Sequence, residues 1–473
     1  MLRPWKLEIR IDKHSDKAIY MQIADAIIAD IQIGRLATGS VLPGSRSMAE
    51  YLGVNRNTVV EALHVLINEG WLVTKERKGS FVSDVLPVLS KQSIGLTGVK
   101  VPIIEREHYQ VSFDDGHPDS QIAPVAALAR AYRQIFNRKS KWQMMGYANE
   151  FGDESFRKAI ANMLNHQRGM QVDEQEMCVT RGSQMAMYLT AQCLLGSNDY
   201  VMIEDPGYKP AWKAFESAGA TLLPLRIDQD GLLIEDVVRY LEIYDTIKAI
   251  YITPHHQYPT TVPLSLQRRL ELIRLSNMYG FTIIEDDYDN EFHFGYRPIL
   301  PLSSYRELEN YVYIGTMSKV VAPALRIGYL VTKNVSLIEK IGALRKIIDV
   351  QGDSIMEQAV LQLIEDGTIK RHLKKAQAYY KDKRNFTNGL LEKYLTEKVD
   401  YLIPEGGMAF WIVPKREVNW AVVDKQLRSK SVKIILPDAY SFDRPVKGLR
   451  LSYGSLTEEQ LELGVLRLAE VLS

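Results

Sequence analysis

From Val111 onward short apolar runs alternate with amphipathic helical stretches, and this alternation is the strongest constraint on what the chain can fold into. YVMIE, IKAIYIT, FTIIED, VYIGT and RIGYLV are too short for helices and rich in β-branched and aromatic residues. Each adjoins a stretch with apolar positions at helical spacing. Strands fed in turn by helices imply an α/β architecture with a mainly parallel sheet, because parallel neighbours need crossover connections. After about Asp349 the pattern turns helical through Leu373 to Leu391, then offers the strands MAFWIV and VKIILP and a closing helix after Thr457. A large domain over 111–473 is expected, with a smaller α+β lobe from about residue 350.

The first 84 residues follow another pattern. Ile19, Ile23, Ile27 and Ile31 recur at helical spacing and Gly34 stops the run. Gly39, Pro43 and Gly44 mark a loop, after which Ser45 is placed to cap a second helix through Met48, Ala49 and Leu52 to a turn at Gly53. Asn55 caps a third helix, Arg56 to about Glu69, with Val59, Ala62, Leu63, Leu66 and Ile67 on its inner face. WLVTKE and GSFVSD then read as a hairpin across Arg77, Lys78 and Gly79. Three helices and a hairpin predict a winged helix-turn-helix over 10–84. Pro87, Gly95, Gly98 and Pro102 make 85–110 a linker, so the chain is multidomain.

Composition narrows the setting. Lys+Arg and Asp+Glu are both 58 in 473 residues, so no global field advertises a polyanionic partner and any such site is local. Cys178 and Cys193 stand in an apolar segment, as buried thiols of a reducing compartment would. No stretch approaches the roughly 18 apolar residues that span a bilayer, and the first residues lack the apolar core of an export signal, so a cytoplasmic protein with no membrane partner is expected. His255 and His256 have no His, Cys or acidic companions at metal spacing; no metal is expected.

A helix entering the major groove shows its N-terminal residues to base edges, so polar and basic residues must gather there. Asn55, Arg56, Asn57 and Thr58 do so, and Arg46, Arg77 and Lys78 are placed for flanking phosphates. Residues 1–84 hold 11 basic against 10 acidic residues, so binding rests on placement, not on bulk charge. This stretch resembles the winged-helix domain of GntR-type bacterial transcription regulators along its whole length. The resemblance implies that Arg46, Asn55, Arg56, Asn57, Thr58, Arg77, Lys78 and Gly79 lie at the face toward a double-stranded DNA operator.

A lysine that binds an aldehyde cofactor as a Schiff base needs groups for the cofactor's phosphate and its ring close by. Lys319 follows a strand, with the hydroxyls of Thr316 and Ser318 beside it and Arg326 seven residues on. Gly182, Ser183 and Gln184 open a helix whose N-terminus favours an anion. FTIIEDDYDNEF ends in Asp286 and Tyr288, a carboxylate suited to a pyridine nitrogen and a phenol two residues along. Together with FDDGHPDSQIAP, EDPGY, TPHHQYPTT and GLRLSYG, these segments resemble fold-type I pyridoxal-phosphate enzymes of the aspartate aminotransferase class over about 111–473. The resemblance implies pyridoxal 5'-phosphate attached to Lys319, Asp286 at the pyridine nitrogen and Tyr288 at the ring hydroxyl. It further implies Tyr208 stacked on the ring, Ser183, Gln184, Thr316, Ser318 and Arg326 around the phosphate, and Arg450 on a ligand carboxylate.

Two residues depart from the enzyme pattern: Tyr258 stands before Pro259 where aminotransferases usually carry Asn, and Thr261 replaces a glycine. That combination is similar to the MocR-type regulators, in which a GntR-type winged helix is fused to an aminotransferase-like domain. Such a protein is a homodimeric transcription regulator that senses pyridoxal phosphate, or an amine or amino acid that reacts with it. The alternative is a working aminotransferase with an accessory DNA-binding domain.

Overall fold

The computed structural model describes residues 8–75, 78–87, 108–137, 142, 145–295 and 299–472. Arg77 and residues 88–107 of the expected linker lie outside the described residues. The chain divides into two units, 1–105 and 106–473, each described by itself.

In the first unit helices run over Ile19–Gln32, Ser45–Leu52 and Arg56–Asn68, followed by the antiparallel strands Leu72–Lys75 and Gly79–Val82. The predicted inner faces meet: Ile23, Ile27, Ile31, Met48, Val59, Ala62, Leu66 and Trp71 form one core. Gly53 turns the chain between the second and third helices at φ 62°, a left-handed conformation that favours glycine. Ser45 does not cap its helix. Gly44 occupies the capping position, Ser45 is the first helical residue, and its hydroxyl accepts from Arg56 Nε at 3.4 Å. Asn55 does cap: its side chain accepts from the Asn57 amide at 2.9 Å. Asn55→Ala is expected to cost the third helix about 1 kcal/mol. Amide exchange over Arg56–Asn68 in the full chain should then rise about fivefold; unchanged exchange would show that the cap carries no stability.

The second unit is built on an eight-stranded sheet. In spatial order the strands are Met177–Thr180, Gly328–Val331, Tyr311–Thr316, Thr282–Asp287, Ile247–Ile252, Tyr200–Asp205, Thr221–Asp228 and Gly231–Leu232. The five strands from Tyr311–Thr316 to Thr221–Asp228 pair in parallel, as expected of helix-fed strands. Gly328–Val331, the RIGYLV segment, runs antiparallel to both of its neighbours; a loop with a short 3-10 turn and no crossover helix joins it to Tyr311–Thr316. Apolar clusters fill both faces of the sheet, as its near-continuous apolar strands require.

The smaller lobe carries an antiparallel sheet of Val399–Tyr401, Ala409–Pro414 and Leu449–Ser452, packed with the helices Thr368–Tyr394 and Glu458–Val471. Of VKIILP only Val432–Lys433 is strand, since Pro437 starts a short 3-10 turn. It pairs with Val111–Ser112, so the first residues of the unit join the core of the smaller lobe. Cys178 is buried and Cys193 partly so, both free, and burial pushes the Cys178 thiol up to about 11. Among the described residues no helix is long and apolar enough to cross a membrane, and no cluster of three metal-ligating side chains occurs.

Candidate cofactor site

A cavity of about 190 Å³ opens beyond the carboxyl ends of the parallel strands, where loops of an open α/β sheet can converge on a ligand. Ser183, Tyr208, Asp286, Tyr288, Thr316, Ser318, Lys319 and Arg326 all line it, although they come from four separate stretches of sequence. Two of the expected residues do not. Gln184 points to the Pro210 carbonyl, to which its Nε2 donates at 2.8 Å. Arg450 is fully buried beside the cavity, its Nη1 donating to the Pro259 carbonyl at 2.9 Å and its guanidinium 5.0 Å from the centre of the Tyr258 ring.

Lys319 lies in the loop between Tyr311–Thr316 and the returning strand Gly328–Val331, whose ends are held together by the pairing of Thr316 with Gly328. Its Nζ donates to the Gly116 carbonyl at 2.6 Å. Burial holds the amine below its usual range, against the opposing pull of Asp289 and Asp114.

Asp286 is buried at the end of its strand, and one oxygen accepts from the Tyr251 hydroxyl at 2.8 Å. Its Oδ1 has no partner among the described residues. Burial raises the carboxyl to about 7, although the Tyr251 bond favours the ion. A buried acceptor left open in a cavity is costly unless a donor arrives, and a protonated ring nitrogen is such a donor.

The other end of the cavity suits a phosphate. Gly182 begins the helix Ser183–Leu194 at φ 79°, and a Cβ there would come within 2.8 Å of Arg326 Nη2. Side-chain-free backbone thus lets the helix N-terminus and the guanidinium approach one space. Gly328 permits the same closeness from the opposite strand: its Cβ would lie 2.5 Å from the Gly182 carbonyl carbon. The Ser318 hydroxyl is buried without a partner among the described residues, and the Thr316 hydroxyl accepts from the Ser318 amide at 3.1 Å. An open acceptor, an open hydroxyl and a cradle of helix N-terminus plus arginine fit a pyridine ring with a phosphate arm, with Lys319 between them.

Sequence reasoning did not single out Tyr251, Thr253 or Asp115, which also line the cavity. Tyr251 reads as one more apolar residue of IKAIYIT, and only the register of its strand against Thr282–Asp287 sets its hydroxyl beside Asp286. Tyr258 meets Tyr208 edge to face at 5.1 Å and donates to Asp115 at 2.6 Å. Thr261 adopts φ 65°, so the threonine that stands in place of a glycine retains the left-handed backbone. The Tyr288 hydroxyl donates to the His256 carbonyl at 2.9 Å.

In the first unit Arg46, Asn55, Arg56, Asn57, Lys78 and Gly79 are exposed and Thr58 is partly so. The Arg56–Ser45 bond brings the N-terminal ends of the second and third helices together.

Comparison with known proteins reproduces this division. Residues 109–468 match the family of class I and II aminotransferases, and residues 19–82 match the gntR family of bacterial regulatory proteins. The chain is 26% identical over 472 residues to the probable rhizopine catabolism regulatory protein MocR of Rhizobium meliloti, covering 96% of this chain and 94% of that one. It is also 26% identical over 435 residues to the HTH-type transcriptional regulator NorG of Staphylococcus aureus strain USA300, covering 89% and 97%. A crystal structure of Pyrococcus horikoshii kynurenine aminotransferase in complex with PMP superposes with a TM-score of 0.72 at 24% identity, over 78% of this chain and 91% of that one.

Proposed function

Because this chain belongs to the class I and II aminotransferase family and carries a gntR-family domain ahead of it, as MocR-type regulators do, we propose that it is a cytoplasmic, homodimeric transcription regulator that senses pyridoxal phosphate or an amine or amino acid that reacts with it. The GntR-type unit binds DNA, and the large unit belongs to a pyridoxal-phosphate-dependent fold. The observation that supports the sensing role is an Asp286 oxygen without a partner among the described residues, in one cavity with the partly buried amine of Lys319.

Bound pyridoxal phosphate supplies an electrophilic aldehyde on an electron-withdrawing ring. Lys319 provides the amine that holds it, and the lowered proton affinity that burial imposes leaves more of that amine neutral and nucleophilic. Tyr251 fixes one Asp286 oxygen and leaves the other to receive the ring N–H. Ser183, Ser318, Thr316 and Arg326 would hold the phosphate, and Tyr208 and Tyr288, the latter anchored on the His256 carbonyl, would hold the ring. Gln184 braces the helix N-terminus through Pro210, and Arg450 supports a carboxylate subsite from behind Tyr258. Arg46, Asn55, Arg56, Asn57, Thr58, Arg77, Lys78 and Gly79 form the DNA face. A ligand that competes with Lys319 alters regulation only if it binds two DNA-binding states with unequal affinity.

The test is fluorescence anisotropy of the full-length protein on the DNA upstream of its own gene, at one stated salt concentration, with and without pyridoxal phosphate and a panel of amines. Specific binding whose affinity changes with cofactor or amine is expected. Specific binding indifferent to all of them overturns the sensor. Sustained amino transfer to a 2-oxo acid at about one turnover per second or faster establishes an enzyme with an accessory head instead.

A further inference from the structure

Two adjacent aspartates at the mouth of the cavity have different surroundings. Asp114 is committed to the turn: Oδ1 accepts from the Gly116 and His117 amides at 2.8 and 2.9 Å, and Oδ2 from the Ser455 hydroxyl at 2.8 Å. That turn delivers the Gly116 carbonyl to Lys319.

Asp115, between them, lines the cavity. One oxygen accepts from the Tyr258 hydroxyl at 2.6 Å, and among the described residues Asp115 forms no ion pair with a lysine, arginine or histidine. Around it stand Tyr258 at its carboxylate and Tyr208 edge-on to Tyr258, with the Lys319 amine near enough to interact with its charge.

A partly buried carboxylate bonded to a tyrosine and in no salt bridge among the described residues is an environment that receives an ammonium group, through charge, hydrogen bonds and ring faces together. Lys319 does not fill this role, because it is held on the neighbouring carbonyl and committed to the cofactor. The Gly116 carbonyl that holds the Lys319 amine is one residue from Asp115, so a short aliphatic ligand can present one amine at the Lys319 locus and a cation at Asp115.

Resting on the reading of this cavity as an amine sensor, we propose that Asp115 determines its specificity and that the effector carries a second cationic group, as a diamine or a diamino acid does. Arg450 behind Tyr258 is compatible with either, since a carboxylate is an addition to this chemistry and not a substitute for it.

The experiment titrates the cofactor-loaded full-length protein with matched probes and follows the visible absorption of the cofactor. The pairs are 1,4-diaminobutane against butylamine, and lysine against norleucine, which differ by the distal ammonium. In at least one pair the dicationic member is expected to half-saturate at about tenfold lower concentration. The pair that shows the preference distinguishes a free diamine from a diamino acid. Asp115→Asn keeps an acceptor for Tyr258 and removes the charge, and it should bring the ratio within each pair to about one. A wild-type ratio near one in both pairs overturns the proposal without needing any variant, and so does a ratio that survives in Asp115→Asn. If no amine changes the absorption, the sensor reading itself falls, a result distinguishable from a response without preference.

Discussion

Lys319→Ala is expected to abolish covalent retention of pyridoxal phosphate and, with it, any response of DNA binding to the cofactor. The variant should emerge from desalting without the long-wavelength absorption of the loaded protein, while far-UV circular dichroism is unchanged. The fold should tolerate the change because the lysine sits in a loop whose two ends are pinned by the Thr316–Gly328 pairing, and because its one hydrogen bond goes to the Gly116 carbonyl. Removing a buried amine also removes a desolvation cost. Specific operator affinity without cofactor should stay within about threefold of wild type, as DNA contacts lie in the other unit. Desalted Lys319→Ala protein that keeps the absorption would place the attachment elsewhere. A variant that loses the absorption yet still regulates would reduce the large unit to a scaffold.

Asp286→Asn should separate stability from cofactor binding. In the unfolded chain this carboxyl ionises near the ordinary 3.8, whereas in the folded apoprotein burial holds the proton up to about 7. The raised value means that the unfolded state loses its proton first, so the group subtracts stability progressively as pH rises from about 4 toward 7. Above that range the deficit reaches on the order of 4 kcal/mol. A neutral amide has no such penalty and still accepts from Tyr251. Its absence also eases Glu204, whose own carboxyl, raised to about 7 chiefly by burial, is pushed further up by the Asp286 charge. The apoprotein variant should therefore unfold at higher urea than wild type above neutrality, with the advantage shrinking as pH falls below about 7 and vanishing only near pH 4 and below. Loaded with cofactor the order should reverse, because the ring nitrogen has lost its ionic partner. Urea midpoints of both proteins, with and without pyridoxal phosphate, on either side of neutrality test this. Equal apoprotein midpoints above neutrality would show that Asp286 carries no burial penalty.

The parts of this molecule that were legible in the sequence are those governed by short-range pattern. Helical spacing of isoleucines and leucines located all three helices of the first unit, and the abrupt ends of apolar strands located Asp286 and Lys319. What escaped depends on register or on distant chain. Tyr251 needed the alignment of two parallel strands to reveal its hydroxyl. Asp115 needed a turn stapled by Asp114 to a serine far along the chain, Ser455. Gly44 took the cap expected of Ser45 because an extended residue with a free backbone suffices there, leaving the serine hydroxyl for Arg56. Gln184 and Arg450 were expected at the phosphate and at a ligand carboxylate, but neither lines the cavity and their hydrogen bonds go to backbone carbonyls, which residue type alone does not show.

The antiparallel strand Gly328–Val331 has a consequence for biosynthesis. Met177–Thr180 stands at the end of the sheet with Gly328–Val331 as its single partner, and the two are roughly 150 residues apart in the chain. At ribosomal rates of about 5–20 residues per second, the earlier strand waits on the order of ten seconds or more for its mate to be made. During that interval its backbone edge is unpaired and its apolar row uncovered, the state most open to aggregation or to a holding chaperone. Because Gly328 also closes against Gly182, the phosphate cradle forms only after the lysine loop has left the ribosome. A growing chain is therefore unable to capture its cofactor early, and loading is reserved for molecules that have already completed their sheet.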